Sequence, residues 1–146
     1  MRIAVIADTH DRFPPKLPAR LQDADEIWHL GDVCDPATLV AFENPGRPLH
    51  VVLGNNEGHN FWPLELRLER EGWKFFLTHI PPPRAPAGVA VVLHGHTHLP
   101  RDETDEDGVR WLNPGCITAP KHGSRASFAW LTIQKGRPLD WQLVSV

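Results

Sequence analysis

Short polar clusters that directly follow apolar, β-branched runs recur along this chain, and they constrain its fold more than any other feature. The clusters are Asp8-Thr9-His10, Gly31-Asp32, Gly54-Asn55-Asn56-Glu57, His79 and Gly95-His96-Thr97-His98. The runs, such as residues 2–7 before Asp8 and residues 89–93 before His94, are typical of buried strands. Polar side chains at the carboxyl ends of such strands meet at one edge of a sheet, where α/β proteins bind ligands. The sequence therefore predicts a single site built from all five clusters.

The composition narrows the class of protein. A chain of 146 residues with a net charge of −3 suits one domain, residues 1–146, and its basic residues form no block. The slightly negative charge argues against a protein that coats nucleic acid or binds a membrane surface. No apolar run approaches the roughly 20 residues that a membrane helix needs. Cys34 and Cys116 provide no disulfide framework, and the first strand begins at Arg2 without space for a signal peptide. We therefore expect a cytoplasmic protein that does not bind membranes.

The first half of the chain predicts alternating strands and helices. The predicted order is a strand at 2–7, a helix at 16–24, a strand at 26–30, a helix at 35–42 and a strand at 49–53. Asp35 followed by Pro36 is typical of an N-cap and a first helical position. The order β-α-β-α-β implies parallel strands with right-handed crossovers.

The second half of the chain predicts strands only. Residues 64–69 and 73–77 flank the turn Glu71-Gly72 as a hairpin. Further strands are predicted at 89–93, 99–104, 109–113, 127–133 and 139–144. No helix is predicted after residue 70. The chain is therefore predicted to be an α/β protein with two stacked mixed sheets and with helices mainly on the first sheet.

Two features of the second half leave alternatives open. We expect at least two of Trp111, Trp130 and Trp141 to fill the core between the sheets. Indole rings that instead face outward would form an apolar patch of the kind that joins the subunits of a homo-oligomer. The proline-rich loop at residues 81–86 is stiff, and it either frames the mouth of the site or is a plain surface crossover.

The ligand types in the clusters indicate a transition-metal site. Carboxylates, imidazoles and one amide oxygen suit Mn, Fe, Zn, Ni or Co better than Ca. Asp8 and His10 are two residues apart at a strand end, so their side chains point to the same side, and His96 and His98 share this spacing. Asp32 is the candidate for bridging two ions, because a carboxylate has two oxygens.

Two such ions would explain a hydrolytic reaction at phosphorus. Ions about 3.5–4 Å apart clamp the attacking and leaving oxygens of an in-line displacement. They also lower the pKa of a bound water to roughly 7. Attack by a metal-bridging hydroxide then requires no serine or cysteine nucleophile.

The complete motif set resembles that of the calcineurin-like metallophosphoesterase superfamily. The matching residues are Asp8-x-His10, Gly31-Asp32-x-x-Asp35, Gly54-Asn55, His79 and Gly95-His96-x-His98. Asn113-Pro114-Gly115 resembles the segment that follows the last motif in the small prokaryotic phosphodiesterase branch. The resemblance spans residues 3 to about 130.

This resemblance implies a fold and a ligand set. The fold is a four-layer αββα sandwich with a dinuclear site, and we expect its outer helices on the second sheet to be reduced or missing. The first ion would be held by Asp8, His10, Asp32 and His98. The second ion would be held by Asp32, Asn55, His79 and His96, so that Asp32 bridges the two.

Asn56 departs from the pattern of many superfamily members. These members have a histidine here that protonates the leaving group or binds the phosphate, although the small branch often lacks it too. Losing this acid would slow the reaction by a factor of about 10²–10⁴ for esters with poor leaving groups. The candidate catalytic residues are Asp32, Asn56 and His98, and either His98 or a metal-bound water would assist the attack nearby. His59 would replace the missing acid or, alternatively, is a solvated loop histidine.

The predicted function is hydrolysis of a small phosphodiester with two divalent transition-metal ions, Mn before Ni, Fe, Zn or Co. A phosphomonoesterase or a phosphoprotein phosphatase is an alternative, although residues 54–57 lack the histidine of the phosphatase motif Gly-Asn-His-Glu. A non-catalytic, metal-binding interaction scaffold of the same fold is another alternative. The scaffold relative in the retromer coat departs from the full ligand set, which this chain retains. A metallo-β-lactamase-like hydrolase is disfavoured, because residues 96–100 lack the trailing Asp-His of its motif.

The polar residues next to the motifs have weaker signals. His29 lies within a predicted strand, where it would support a ligand or fill the core, and His94 is expected to be structural. Asp35 and Glu57 would orient metal ligands or, alternatively, serve as helix-cap and loop residues. The sequence predicts no role for Lys121.

Overall fold

Ten strands form two five-stranded mixed sheets in the computed structural model, which describes residues 1–146. The first sheet contains β1 (Arg2–Ile6), β2 (Glu26–His29), β3 (Leu49–Val51), β9 (Ser127–Thr132) and β10 (Asp140–Ser145). The second sheet contains β4 (Glu65–Arg70), β5 (Trp73–Thr78), β6 (Val91–Leu93), β7 (Pro100–Thr104) and β8 (Arg110–Pro114). The strand orders are β10-β9-β1-β2-β3 and β4-β5-β6-β8-β7. The predicted parallel pairs β1–β2 and β2–β3 and the hairpin β4–β5 are confirmed.

Both helices lie in the first half of the chain and are shorter or tighter than the sequence predicts. Helix α1 covers only Leu17–Arg20 instead of residues 16–24. The helix propensity of so short a segment does not by itself keep it helical, so its length is set by tertiary packing. The second helix, Pro36–Phe42, is a 3₁₀ helix. Asp35 caps it as predicted, because its carboxylate accepts a hydrogen bond from the backbone N–H of Ala37 at 2.9 Å. Neither helix has the length and apolar character needed to cross a membrane.

Successive side chains of β1 belong alternately to two separate hydrophobic layers. Ile3 and Val5 belong to a cluster of 14 buried residues between the two sheets. Ala4 and Ile6 belong to a second cluster of 13 buried residues, in which the first sheet packs against both helices. Because successive side chains of a strand point to opposite faces, one apolar run supplies both layers.

Loops and arginine side chains cover the outer face of the second sheet. A small buried cluster on this face consists of Phe76, Val92 and Trp111. Ala85 of the proline-rich loop packs against it, so this loop covers the sheet as a crossover. The guanidinium of Arg67 lies 5.5 Å from the centre of the Phe76 ring, and that of Arg101 lies 4.7 Å from the Trp111 ring. The expected reduction of the outer helices is therefore confirmed, and no helix remains on this face.

The expectation that at least two of the three tryptophans fill the core between the sheets is wrong. Leu131 of β9 faces that core, so its neighbour Trp130 faces the helices, where the Arg2 guanidinium lies 3.7 Å from its ring centre. Trp111 is buried on the outer face of the second sheet, and only the half-buried Trp141 packs against the inter-sheet cluster. Trp111 and Trp130 are 5% and 6% exposed, so neither offers an open apolar patch to a second subunit.

A buried ion pair joins the two sheets at the start of β2. The Glu26 carboxylate accepts hydrogen bonds from Nε of Arg70 on β4 at 2.7 Å and from Nε1 of Trp28 at 2.8 Å. His50 Nε2 on β3 lies 3.4 Å from the same carboxylate. Burial alone would raise the pKa of Glu26, but the hydrogen bonds from Arg70 and Trp28 outweigh burial and hold this pKa below its usual value.

We expect Glu26→Gln to lower the free energy of unfolding by about 2 kcal/mol near pH 7, because Arg70 is left without its charged partner. The folded-state pKa of Glu26 lies below the unfolded value, so this stabilisation is present above that value and is lost as the pH falls through the folded one. Urea denaturation near pH 7 and near pH 3 measures both effects. The exposed Glu69→Gln on β4 is the matched control, and equal losses in the two variants would contradict the role of the pair.

Candidate metal centre

Five of the predicted ligands have a left-handed backbone. Their φ angles are 55° for Asp8, 46° for His10, 57° for Asp32, 67° for His96 and 59° for His98. Residues other than glycine seldom adopt such angles, and when they do, the surrounding structure holds them there. The turns occur just beyond strand ends, where backbone N–H groups of the β1 loop donate to carbonyls of the β2 loop at 2.9–3.0 Å. The fold thus turns these side chains toward one point at the expense of local strain.

The first group of predicted ligands converges at this point. One ligand atom from each of Asp8, His10, Asp32 and His98 lies within 4.8 Å of all the others. His10 Nε2 is 3.5 Å from an Asp32 oxygen, and His98 Nε2 is 3.3 Å from an Asp8 oxygen. All four residues that the resemblance assigns to one ion are therefore within reach of a single ion.

The second group converges on the amide oxygen of Asn55. His79 Nε2 lies 2.9 Å from Asn55 Oδ1, and His96 Nδ1 lies 2.8 Å from the same oxygen. His79 Nε2 is also 3.3 Å from Asp32 Oδ1. Asp32 therefore contacts both groups, one through each carboxylate oxygen.

Asn56 holds the Asp32 carboxylate in place. Its backbone N–H donates to Asp32 Oδ1 at 3.0 Å, and its side-chain amide donates to Asp32 Oδ2 at 2.7 Å. Burial alone would raise the pKa of Asp32, but hydrogen bonds from His79 and Asn56 keep it well below its usual range. Asn56 therefore acts on the site through Asp32, and both of its donors are engaged.

Backbone carbonyls set the orientation of two histidines. His79 Nδ1 lies 2.8 Å from the carbonyl oxygen of Leu30, and His98 Nδ1 lies 2.7 Å from that of Ala119. A ring that donates through Nδ1 presents a bare Nε2 to the site, as metal-ligating histidines do. In neutral His79 this lone pair faces the oxygens of Asn55 and Asp32, so a proton or a metal ion is needed between them.

Asp8 shows the same need for positive charge. Its side chain is fully buried, and neither carboxylate oxygen has a hydrogen-bond partner. Burial raises its pKa to about 7, and the charge of Asp32 adds to this shift while that of His79 opposes it. A buried carboxylate without donors is unfavourable unless a cation is present. The orphaned oxygens and the mixed carboxylate, imidazole and amide set fit a divalent transition-metal ion.

Two glycines of the motifs are required by close contacts around the ligands. A Cβ atom at Gly54 would lie 2.2 Å from both the backbone nitrogen and Oδ1 of Asp32. A Cβ atom at Gly31, which has a φ of 89°, would lie 2.7 Å from His79 Nδ1. Larger residues at either position would displace the ligands.

A loop that the sequence did not identify also contributes to the site. It connects β8 of the second sheet to β9 of the first, and Thr118 on it donates to the Asp8 carbonyl oxygen at 3.1 Å. Burial lowers the pKa of His98, and the ammonium group of Lys121 on this loop lowers it further. The chain passes from the second sheet to the first between β8 and β9, and only this crossing indicates that the loop lies at the edge of the site.

The remaining predicted residues lie around the ligands. His29 Nε2 is 3.0 Å from Thr9 Oγ1, and burial lowers the pKa of His29 to about 3, so this ring is neutral and supports the β1 loop. Glu57 accepts a hydrogen bond from the backbone N–H of Val33 at 2.8 Å, next to Asp32. His59 stacks on Phe61 with ring centres 4.4 Å apart and is half-buried rather than solvated.

We expect Asp8→Asn to stabilise the metal-free protein, and to do so more at pH 7.5 than at about pH 4. The folded-state pKa of Asp8, about 7, exceeds the ordinary value of 3.8, so the wild-type free energy of unfolding falls as the pH rises between these values. The difference between the two proteins should grow by roughly 2–4 kcal/mol over this range. Denaturation of chelated samples measures it. Added Mn²⁺ should raise the melting temperature of the wild type more than that of the variant, which keeps the second ligand group, and an equal rise in both proteins would contradict the assignment.

Comparisons with known proteins agree with this geometry. The family model described as the calcineurin-like phosphoesterase superfamily domain matches residues 1–136. A phosphodiesterase of Methanocaldococcus jannaschii is 27% identical over 139 residues, which cover 79% of this chain and 83% of the relative. A probable metallophosphoesterase of the same organism is 32% identical over 138 residues, which cover 83% of this chain and 70% of the relative.

Solved structures share the fold. Yfce, a phosphoesterase from E. coli, superposes with a TM-score of 0.76 at 25% identity, covering 90% of this chain and 88% of that structure. The Zn²⁺ complex of Vps29 from Entamoeba histolytica superposes with a TM-score of 0.79 at 20% identity, covering 99% and 98%, which is a likeness of fold alone. From the family match and the sequence relatives, the chain belongs to the calcineurin-like phosphoesterase superfamily.

Proposed function

We propose that this protein is a metal-dependent phosphodiesterase with a dinuclear centre. Its family and its phosphodiesterase relative support a hydrolase acting on phosphoester bonds. The observation that carries the dinuclear proposal is the position of Asp32, whose two oxygens contact His10 of one ligand group and His79 of the other. One ion would be held by Asp8, His10, Asp32 and His98, and the other by Asp32, Asn55, His79 and His96.

The ions and the side chains of the site would have different roles. When bound, two divalent ions, Mn²⁺ in our proposal, supply Lewis acidity and make a water reactive near neutral pH. Asn56 fixes the plane of the Asp32 carboxylate, so that each oxygen points to one ligand group. The Leu30 and Ala119 carbonyls accept from Nδ1 of His79 and His98, so in the neutral rings Nε2 is the nitrogen that is available as a ligand.

The proposed preference for diesters rests on the resemblance to the small phosphodiesterase branch, on the phosphodiesterase relative and on the missing general acid. Both donors of Asn56 are engaged with Asp32, and an amide does not protonate a leaving group. His98 Nδ1 lies against the Ala119 carbonyl and its Nε2 lies 3.3 Å from an oxygen of Asp8 within the ligand group, which favours its role as a ligand over a role in assisting the attack. Esters with good leaving groups depend least on an acid, so activated esters are the substrates of choice for a test, and the relatives favour the diester among them.

Location and partners belong to the same proposal. Cys34 and Cys116 are both free thiols, which agrees with a reducing, cytoplasmic compartment. The net charge of −3 favours a small phosphodiester as the substrate over non-specific binding of nucleic acid.

Metal-dependent turnover provides the first test. Protein stripped with a chelator should hydrolyse bis(4-nitrophenyl) phosphate only after Mn²⁺ is restored, and it should hydrolyse 4-nitrophenyl phosphate more slowly. Asp32→Asn should lower turnover by more than about 10²-fold, since even partners outside the ligand set contribute 10–100-fold. The exposed Asp23→Asn is the matched control and should keep full activity.

Two results would overturn this proposal. Turnover of neither ester with Mn²⁺, Ni²⁺, Zn²⁺ or Fe²⁺ would favour a non-catalytic scaffold of the same fold. Faster turnover of the monoester would favour a phosphomonoesterase.

Asn56→Ala tests the support of the bridging carboxylate. We expect it to weaken Mn²⁺ binding by about 10–100-fold, because Asp32 loses a side-chain hydrogen bond that orients it. Calorimetric titration of the stripped protein with Mn²⁺ measures this change. Asn60→Ala, at an exposed position of the same segment, is the control, and equal affinities in the two variants would show that the hydrogen bond has no role.

A further inference from the structure

A pocket of about 320 Å³ opens directly beside the metal ligands. Its lining residues are Leu53, Gly54, Asn55, Leu64, Glu65, Thr78, His79 and Ile80. Two of them, Asn55 and His79, belong to the second ligand group. A phosphoryl group held at that group would therefore have one substituent at the mouth of this pocket.

The pocket is formed where the two sheets meet. Glu65 at the start of β4 pairs with Thr78 at the end of β5, which places Leu64 beside the residues that follow Thr78. The backbone N–H of Leu53, just after β3, donates to the carbonyl oxygen of Pro63 at 2.7 Å and fixes the hairpin to the first sheet. The walls are therefore set by strand register rather than by a free loop.

Large apolar side chains in this pocket remain open to solvent. Leu64 is 70% exposed and Ile80 is 53% exposed, and both line the pocket together with Leu53. An exposed leucine by itself is unremarkable, but these side chains flank a candidate catalytic centre. An apolar group that enters the pocket would remove their surface from water, which is favourable.

The charge of the pocket limits what can enter. Glu65 is the one lining residue with a permanent charge at neutral pH, and the lining contains no lysine or arginine. A second phosphate or a carboxylate that reaches into the pocket would meet Glu65 without a compensating lysine or arginine in the lining. The volume lies near the lower end of that for small-molecule sites, which suits a single ring or a short alkyl group.

We propose that this pocket binds an uncharged, apolar organic substituent of the phosphodiester, such as an aryl or short alkyl group. The inference rests on the proposed function and names the substrate class of that site. Diesters with an aromatic or aliphatic group are selected, whereas substituents that carry a further phosphate or carboxylate are rejected.

Binding of phosphonates to the Mn²⁺-loaded protein tests the proposal without turnover. Phenylphosphonate should bind on the order of tenfold more tightly than methylphosphonate in calorimetric titrations, since burying the ring removes apolar surface from water. Combining Leu64→Ser with Ile80→Ser should reduce this ratio severalfold and leave methylphosphonate binding unchanged. Leu143→Ser, an exposed leucine on β10, is the matched control and should keep the wild-type ratio.

A third ligand tests whether the negative charge of Glu65 excludes anionic substituents. We expect 4-carboxyphenylphosphonate to bind more weakly than phenylphosphonate, and Glu65→Gln should narrow this gap.

The possible failures have different signatures. Equal affinities for the phenyl and methyl compounds, or a ratio that the double variant leaves unchanged, would overturn the pocket proposal while the metal centre still binds a phosphonyl group. Binding of neither phosphonate would overturn both the pocket and the proposed function. A double variant that changes the sedimentation behaviour and not the affinities would assign this surface to a protein contact instead.

Discussion

The need for positive charge between buried ligand atoms governs the rest of this structure. Asp8 is buried without a hydrogen-bond donor, and the Nε2 atom of His79 faces the oxygens of Asn55 and Asp32. Such groups repel one another unless a cation lies between them. The left-handed turns and the hydrogen bonds to backbone carbonyls hold them together against this repulsion. The site is therefore organised for a cation before one binds.

Buried negative charge is compensated by donors at the start of β2 and is left partly uncompensated beyond its end. At its start, Glu26 has a guanidinium, an indole and an imidazole within reach, and this satisfied pair joins the sheets. Just beyond its end, Asn56 donates to Asp32, but the neighbouring Asp8, which follows β1, has no donor. Satisfied charge stabilises the fold, whereas unsatisfied charge binds a ligand. Strand β2 thus connects the end of the molecule that contains the Glu26 ion pair to the end that contains the candidate metal centre.

Sequence patterns predict the strands and the ligand types, because apolar runs and their polar ends are local features. They do not tell which apolar layer a strand face meets, and Trp130 was misplaced for this reason. Roles that depend on distant partners are also hidden. Asn56 contacts Asp32 across 24 positions, and Lys121 reaches the site because its loop crosses between sheets. The motif marks Asn56 as a candidate catalytic residue but does not reveal this contact, and the sequence predicts no role for Lys121.

The hairpin β4–β5 carries residues of both the candidate metal centre and the proposed substrate pocket. The second sheet has no covering helix, so strand ends rather than an inserted domain surround the ligands. The pairing of Glu65 with Thr78 positions His79, Leu64 and Ile80 together. A slip of one residue in this register would turn every side chain of the strand to the opposite face. It would remove the imidazole from the metal centre and the apolar walls from the pocket at once. In the proposed function, the affinity for the ion and the affinity for the organic group of the ester would therefore depend on the same backbone hydrogen bonds.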